Sequence, residues 1–118
     1  MAKNPRINVT ETGTAASKTI QVNISEDPVN LKGHGNRAVK IDFDIDPAST
    51  PGWTFSDVDG IVIHDPANFD NNGHSSGHKR HTWTRKGGQV NKGFVKYSIS
   101  VTNGTTTVIV DPAINNEE

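Results

Sequence analysis

Val39-Lys40-Ile41-Asp42-Phe43-Asp44-Ile45-Asp46 is the stretch that decides the fold. Its apolar residues at 39, 41, 43 and 45 alternate with charged ones, and a period of two belongs to a strand with one buried face and one wet face. A helix would instead repeat its apolar residues three and four apart. The same alternation returns in Ile20-Gln21-Val22-Asn23-Ile24 and in Val95-Lys96-Tyr97-Ser98-Ile99-Ser100-Val101, with a shorter copy at Ile7-Asn8-Val9. Trp53-Thr54-Phe55 and His81-Thr82-Trp83 add two brief strands. The continuous runs Ile61-Val62-Ile63 and Val108-Ile109-Val110 read as strands covered on both sides. Seven or eight strands at these intervals predict one all-β domain over residues 1–118, an immunoglobulin-like antiparallel β-sandwich.

Composition agrees. Val and Ile together number 21 of the 118 residues and Thr adds 12, whereas Leu31 is the single Leu and Met1 the single Met. β-Branched side chains favour strands, and the scarcity of Leu and Met excludes a helical bundle. The absence of Cys excludes a disulfide framework and a thiolate metal site. No apolar run approaches the ~20 residues that span a bilayer, so no membrane partner is expected. Met1-Ala2-Lys3-Asn4-Pro5-Arg6 lacks the apolar core of a signal peptide. The expectation is a cytoplasmic bacterial protein.

Two kinds of punctuation separate the strands. Asn103-Gly104 between Val101 and Val108 favours a tight hairpin. Four of the six prolines follow Asp: Asp27-Pro28, Asp46-Pro47, Asp65-Pro66 and Asp111-Pro112, each just after an apolar run. Proline cannot donate to a ladder and the Asp carboxylate can accept a local turn bond, so Asp-Pro works as a strand stop. The polar stretch 65–77 reads as a long loop, and Arg85-Lys86-Gly87-Gly88-Gln89 as another.

The net charge of −1 hides a segregation. Residues 41–70 hold seven Asp and no Lys or Arg, and residues 71–110 hold Lys79, Arg80, Arg85, Lys86, Lys92 and Lys96 with no acid. In an immunoglobulin-like order the third strand pairs with the sixth and the fourth with the fifth, which sets acidic strands beside basic ones. A nucleic-acid surface with Trp83, Phe94 and Tyr97 as stacking platforms is the competing reading, and neutralisation by neighbouring acids argues against it. A polar surface that organises self-association is a third.

Candidate chemistry is sparse. His74, His78 and His81 have spacings that resemble metal-ligand spacings. On a strand His81 shares the core-facing side with Trp83, which leaves His74 and His78 as the pair best able to clamp an ion. Gly73-His74-Ser75-Ser76-Gly77 matches the nucleophile-elbow pattern in letters, but that motif needs a strand before it and a helix after it. Asp42, Asp44 and Asp46 alternate on one strand face, and Pro47 takes the place where a calcium loop needs Gly. Asp57 and Asp59 before Gly60 read as a turn. Gly33-His34-Gly35 is too little for a phosphate cradle, so no cofactor is expected. Trp53 and Trp83 read as core anchors rather than sugar-stacking platforms.

The segment Tyr97-Ser98-Ile99-Ser100-Val101, followed by Val108-Ile109-Val110-Asp111-Pro112-Ala113-Ile114-Asn115-Asn116, resembles the small bacterial DP-EP family. That resemblance implies an immunoglobulin-like β-sandwich and carries over no activity and no catalytic residue. The resulting expectation is a non-catalytic binding or assembly module of unknown ligand that forms a homo-oligomer. The alternative is a metal-binding protein or small enzyme that uses His74, His78 and His81.

Overall fold

The alternation at 39–45 becomes strand β5 (Val39–Ile45), with Val39, Ile41, Phe43 and Ile45 buried and Lys40 exposed. This is the centre of the first of two sheets. The computed structural model describes residues 2–14, 16–35, 37–56, 60–87 and 93–116, among which there is no helix. The turn expected at Asp57 and Asp59, the loop residues Gly88 and Gln89, and Lys92 lie outside the described residues.

The first sheet runs β3 (Ser17–Ile24), β2 (Arg6–Thr14), β5, β9 (Arg80–Arg85) and β8 (Phe69–His74), with the short β1 (Ala2–Lys3) also on β5. The second is built on β10 (Phe94–Thr102). One edge of β10 carries β7 (Ile61–Ile63) and β6 (Thr54–Phe55) end to end. Its other edge carries β11 (Thr107–Val110) and β12 (Ala113–Asn115), and β12 pairs in parallel with β4 (Val29–Asn30).

The pairing of β5 with β9 is the expected pairing of third and sixth strands. The expected fourth and fifth strands, β6 and β7, do not pair; both lie along β10. Twelve described strands stand against an expected seven or eight. The additions β1, β4, β8 and β12 are too short or too polar to produce an alternation. The chief difference falls in the expected loop at 65–77, where Phe69–His74 forms β8 at the sheet edge.

The two sheets enclose one core. Ile7, Val9, Ile41, Phe43 and Trp83 from the first meet Phe55, Ile61, Tyr97, Ile99 and Val101 from the second. Trp83 Nε1–H donates to the Ile61 carbonyl at 3.1 Å and so ties the sheets together. Both Trp53 and Trp83 are buried, as expected. Of the two continuous runs, Ile61 and Ile63 are buried, but Ile109 is 63% exposed, so β11 is open on one face.

The Asp-Pro pairs follow β3, β5, β7 and β11. Asp46 shows the device at work: its carboxylate accepts the Ala48 N–H at 2.9 Å and its carbonyl accepts the Ser49 N–H. The segment that follows straps the side of β2. Asp46 N–H and Thr50 N–H donate to the carbonyls of Ile7 and Val9, while Ser49 Oγ and Thr50 Oγ1 accept the N–H groups of Val9 and Glu11. Asn103-Gly104 makes the β10–β11 turn, with Gly104 at φ 92° and Asn103 Oδ1 accepting the Thr105 and Thr106 N–H groups.

Candidate functional site

Three places collect the side chains in question. The first is the histidine cluster at the β8–β9 turn. β8 and β9 are antiparallel, with His74 opposite His81 and an irregularity between Asn71 and Gly73. Gly73 supplies the positive φ of 85° that this bulge needs. The turn then brings His78 back over His74, and the two rings lie 4.1 Å apart at 61°. His81 sits 6.1 Å from His74 and stacks at 6.3 Å on Trp83.

The three histidines are therefore neighbours, as the spacing suggested, and they occupy different environments. His81 is 2% exposed and faces the core beside Phe55 and Trp83. Its Nε2 lies 2.8 Å from Asn71 Oδ1, which accepts, so the proton is on Nε2 and the buried Nδ1 carries a lone pair without a hydrogen-bond partner. Burial, helped by nearby His74, pushes its pKa down to about 4. His74 is exposed, and its Nδ1 lies 3.1 Å from the Ser75 carbonyl, which fixes that nitrogen as the donor. His74 is thus the exposed member of the three, His78 half-buried and His81 buried. Among the described residues, no group of three or more His, Cys, Asp or Glu side chains converges so as to hold a metal ion.

The Gly73-to-Gly77 motif lies in the same turn. Ser75 Oγ accepts the Arg80 N–H and the Ser75 carbonyl accepts the His78 N–H. Strand β9 follows, not a helix, so no nucleophile elbow is formed.

The second place is the outer face of the first sheet. Asp42 and Asp44 project there from β5 towards Arg80 and Thr82 on β9. Arg80 donates through Nε and Nη2 to both Asp44 oxygens at 2.6 and 2.8 Å, and its Nη1 lies 3.7 Å from Asp42. Thr82 Oγ1 donates to Asp42 at 2.7 Å. The Arg80 guanidinium holds the Asp44 carboxyl below the usual range. The acidic and basic segments meet within one molecule here, as expected from the charge pattern. Trp83 and Tyr97 are buried, so of the three proposed stacking platforms Phe94 alone is exposed, at 70%.

His64, Ser98 and Asp111 form a group that sequence reading missed. Ser98 Oγ donates to Asp111 at 2.7 Å and lies 2.6 Å from His64 Nε2. A serine nucleophile gives its proton to the His, with the acid on the opposite ring nitrogen. Here the carboxylate takes the serine proton, and all three side chains link the ends of β7 and β11 across β10. The group reads as a surface tie between strands.

The third place is the outer edge of β3. This strand pairs with β2 over its whole length, Ile7 opposite Ile24 and Thr14 opposite Ser17. Ser25 N–H donates to the Arg6 carbonyl, which places Arg6 and Ser25 in a bonded pair. Bonded and non-bonded pairs alternate in an antiparallel ladder. Asn23, Gln21, Thr19 and Ser17 therefore bond to β2, and the backbone groups of Lys18, Ile20, Val22 and Ile24 point the other way. The strap at 46–50 supports this, because it uses the backbone groups of Ile7, Val9 and Glu11, the residues opposite Ile24, Val22 and Ile20. Among the described residues, no strand pairs with the outer edge of β3. Ile20, Val22 and Ile24 are only half-buried against the core.

The chain matches no known family model and no curated protein significantly. No described helix is long and apolar enough to cross a membrane.

Proposed function

We propose that this chain is a non-catalytic assembly module that associates with itself through an open sheet edge. The observation that carries the reading is β3, eight residues long, with the backbone N–H and C=O groups of Lys18, Ile20, Val22 and Ile24 directed to solvent. An unpaired edge of this length is a template for another strand. Kinship with the DP-EP proteins and an immunoglobulin-like arrangement belong to the same proposal. The two packed sheets and the β5–β9 pairing support that arrangement, and the placing of β6 and β7 on one edge of β10 weighs against it. A cytoplasmic setting is also part of the proposal, in keeping with a chain that has no Cys. Light scattering across a concentration series tests the module. A mass that rises to twice that of the chain supports it, and a constant monomer mass at millimolar concentration refutes it.

One observation favours a second reading. The His74 and His78 rings lie 4.1 Å apart at an exposed turn, a spacing that suits a pair of imidazole ligands on one transition-metal ion. Titration with zinc or nickel followed by calorimetry decides this. Binding at micromolar concentration that is lost in His74→Ala supports it, and absence of heat removes it.

A further inference from the structure

We infer that the partner of β3 is β3 of a second copy, in one register, related by a two-fold axis through Val22. This rests on the assembly reading above and specifies its contact.

The argument begins with the backbone. The outward groups on β3 belong to the even-numbered residues from 18 to 24, so an antiparallel partner must present its own even-numbered residues to them. A second β3 does this when two-fold symmetry places Val22 opposite Val22. Ile20 then lies opposite Ile24 of the other copy, and the reverse contact follows by symmetry, as an isologous interface requires. Both residues of each pair are half-buried in the free chain. The contact therefore joins apolar side chains that one copy leaves partly covered.

Charge agrees with this register. Glu26 lies in the bend just beyond β3, and the same two-fold brings it to the end of the contact where Lys18 of the second copy lies. Lys18 is exposed and reaches Glu11 at 3.4 Å, while Glu26 lies 2.8 Å from Lys3. Each pair of opposite charges gains a second partner, and no like charges meet across the strands. Sliding the register by one two-residue step towards Lys18 keeps Ile20 opposite Val22 but puts Lys18 opposite Ile24, so one of the three apolar matches is lost and Ile24 faces a charged residue at each end. On the outer face, Gln21 comes opposite Asn23 of the other copy in a non-bonded pair, which joins exposed polar side chains to each other.

The other strand edges are less suited to the same role. β8 is interrupted by its bulge, β11 has four residues, and β4 has two. The eight residues of β3 are regular throughout.

The chain has no Cys, so single introduced thiols report this contact without background. Residues in a non-bonded antiparallel pair have Cα atoms about 4.5 Å apart, within disulfide range. Gln21→Cys and Asn23→Cys are made separately, oxidised alone and as an equimolar mixture, and compared with Thr105→Cys in the β10–β11 turn. The expected result is a mixed 21–23 disulfide about tenfold or more above the Thr105→Cys level, because association raises the local thiol concentration. Cross-linking of Gln21→Cys alone, or of Asn23→Cys alone, means a shifted register and overturns the inference. A dimer by light scattering with no cross-link in any sample also overturns it, while the assembly reading survives on another surface. A monomer with no cross-link overturns both.

Discussion

The first sheet ends in two unlike edges. β8 has a bulge after Asn71, a glycine at positive φ, and polar side chains that bond inward and across: Asn71 Oδ1 accepts from His81 Nε2 and from the Gly73 N–H, and Thr84 Oγ1 donates to Asn72. β3 has no bulge and an unbroken alternation of Ile20, Val22 and Ile24. Bulges and self-satisfied polar groups blunt an edge, and regular apolar alternation leaves it ready to pair. The contrast makes β3 the edge at which association is proposed and gives β8 a structural task, closing the sheet over Trp83 and His81.

If β8 and β9 close the core while β3 stays open, truncation should cost more on the closed side. Trp83→Ala is expected to lose about 3–5 kcal/mol in urea unfolding, since the ring is 5% exposed and bonded to Ile61. Val22→Ala, on the half-buried edge, is expected to lose about 1 kcal/mol. Equal losses would break the comparison.

Asn71→Ala tests the blunted edge itself. It removes the acceptor for a buried imidazole N–H and for the Gly73 amide at the bulge, and an expected cost of about 1–3 kcal/mol follows from leaving a buried donor unmet. Little change in the unfolding midpoint would mean that the bulge does not depend on this residue.

Acid sharpens the same distinction. His81 titrates at about 4 in the folded chain against 6.5 ordinarily, because burial penalises its charged form. The unfolded chain takes up the proton first as pH falls. Stability is full above pH 6.5 and is lost between pH 6.5 and about 4, by on the order of 3 kcal/mol. Asp44 and Glu11, both held below the usual carboxylate range, add their losses at lower pH. A His81→Gln chain should lack the upper part of this slope, and an unchanged slope would contradict the assignment.

The smallest expected effect on stability, and the largest on association, belongs to Ile20→Lys. A charge on the core-facing side of an edge strand opposes pairing while the free chain can still hold it near water. Light scattering should report a monomer with an unfolding midpoint close to that of the parent chain.

Much of this was legible in the sequence. Strands β2, β3, β5, β9 and β10 announce themselves because each turns alternate apolar side chains towards the core, and Asp-Pro marks four of the stops. β8 was not legible. Asp70-Asn71-Asn72-Gly73 has loop chemistry, and what makes it a strand is its ladder with β9 and the bulge within it, against the local preference. The proximity of His74, His78 and His81 was readable from spacing, and so was the inward direction of His81. The His64–Ser98–Asp111 tie was not, because it joins strands distant in sequence. The open edge of β3 was hidden for a related reason. Alternation tells which face is buried, but only the topology tells which strand is last.

Amide hydrogen exchange on β3 tests the central claim most directly. In dilute protein the amides of Thr19, Gln21 and Asn23 should be protected by β2, and those of Ile20, Val22 and Ile24 should exchange freely. Raising the concentration should slow exchange at Ile20, Val22 and Ile24, as they bond to a second copy. Free exchange at these three amides at every concentration would contradict the account.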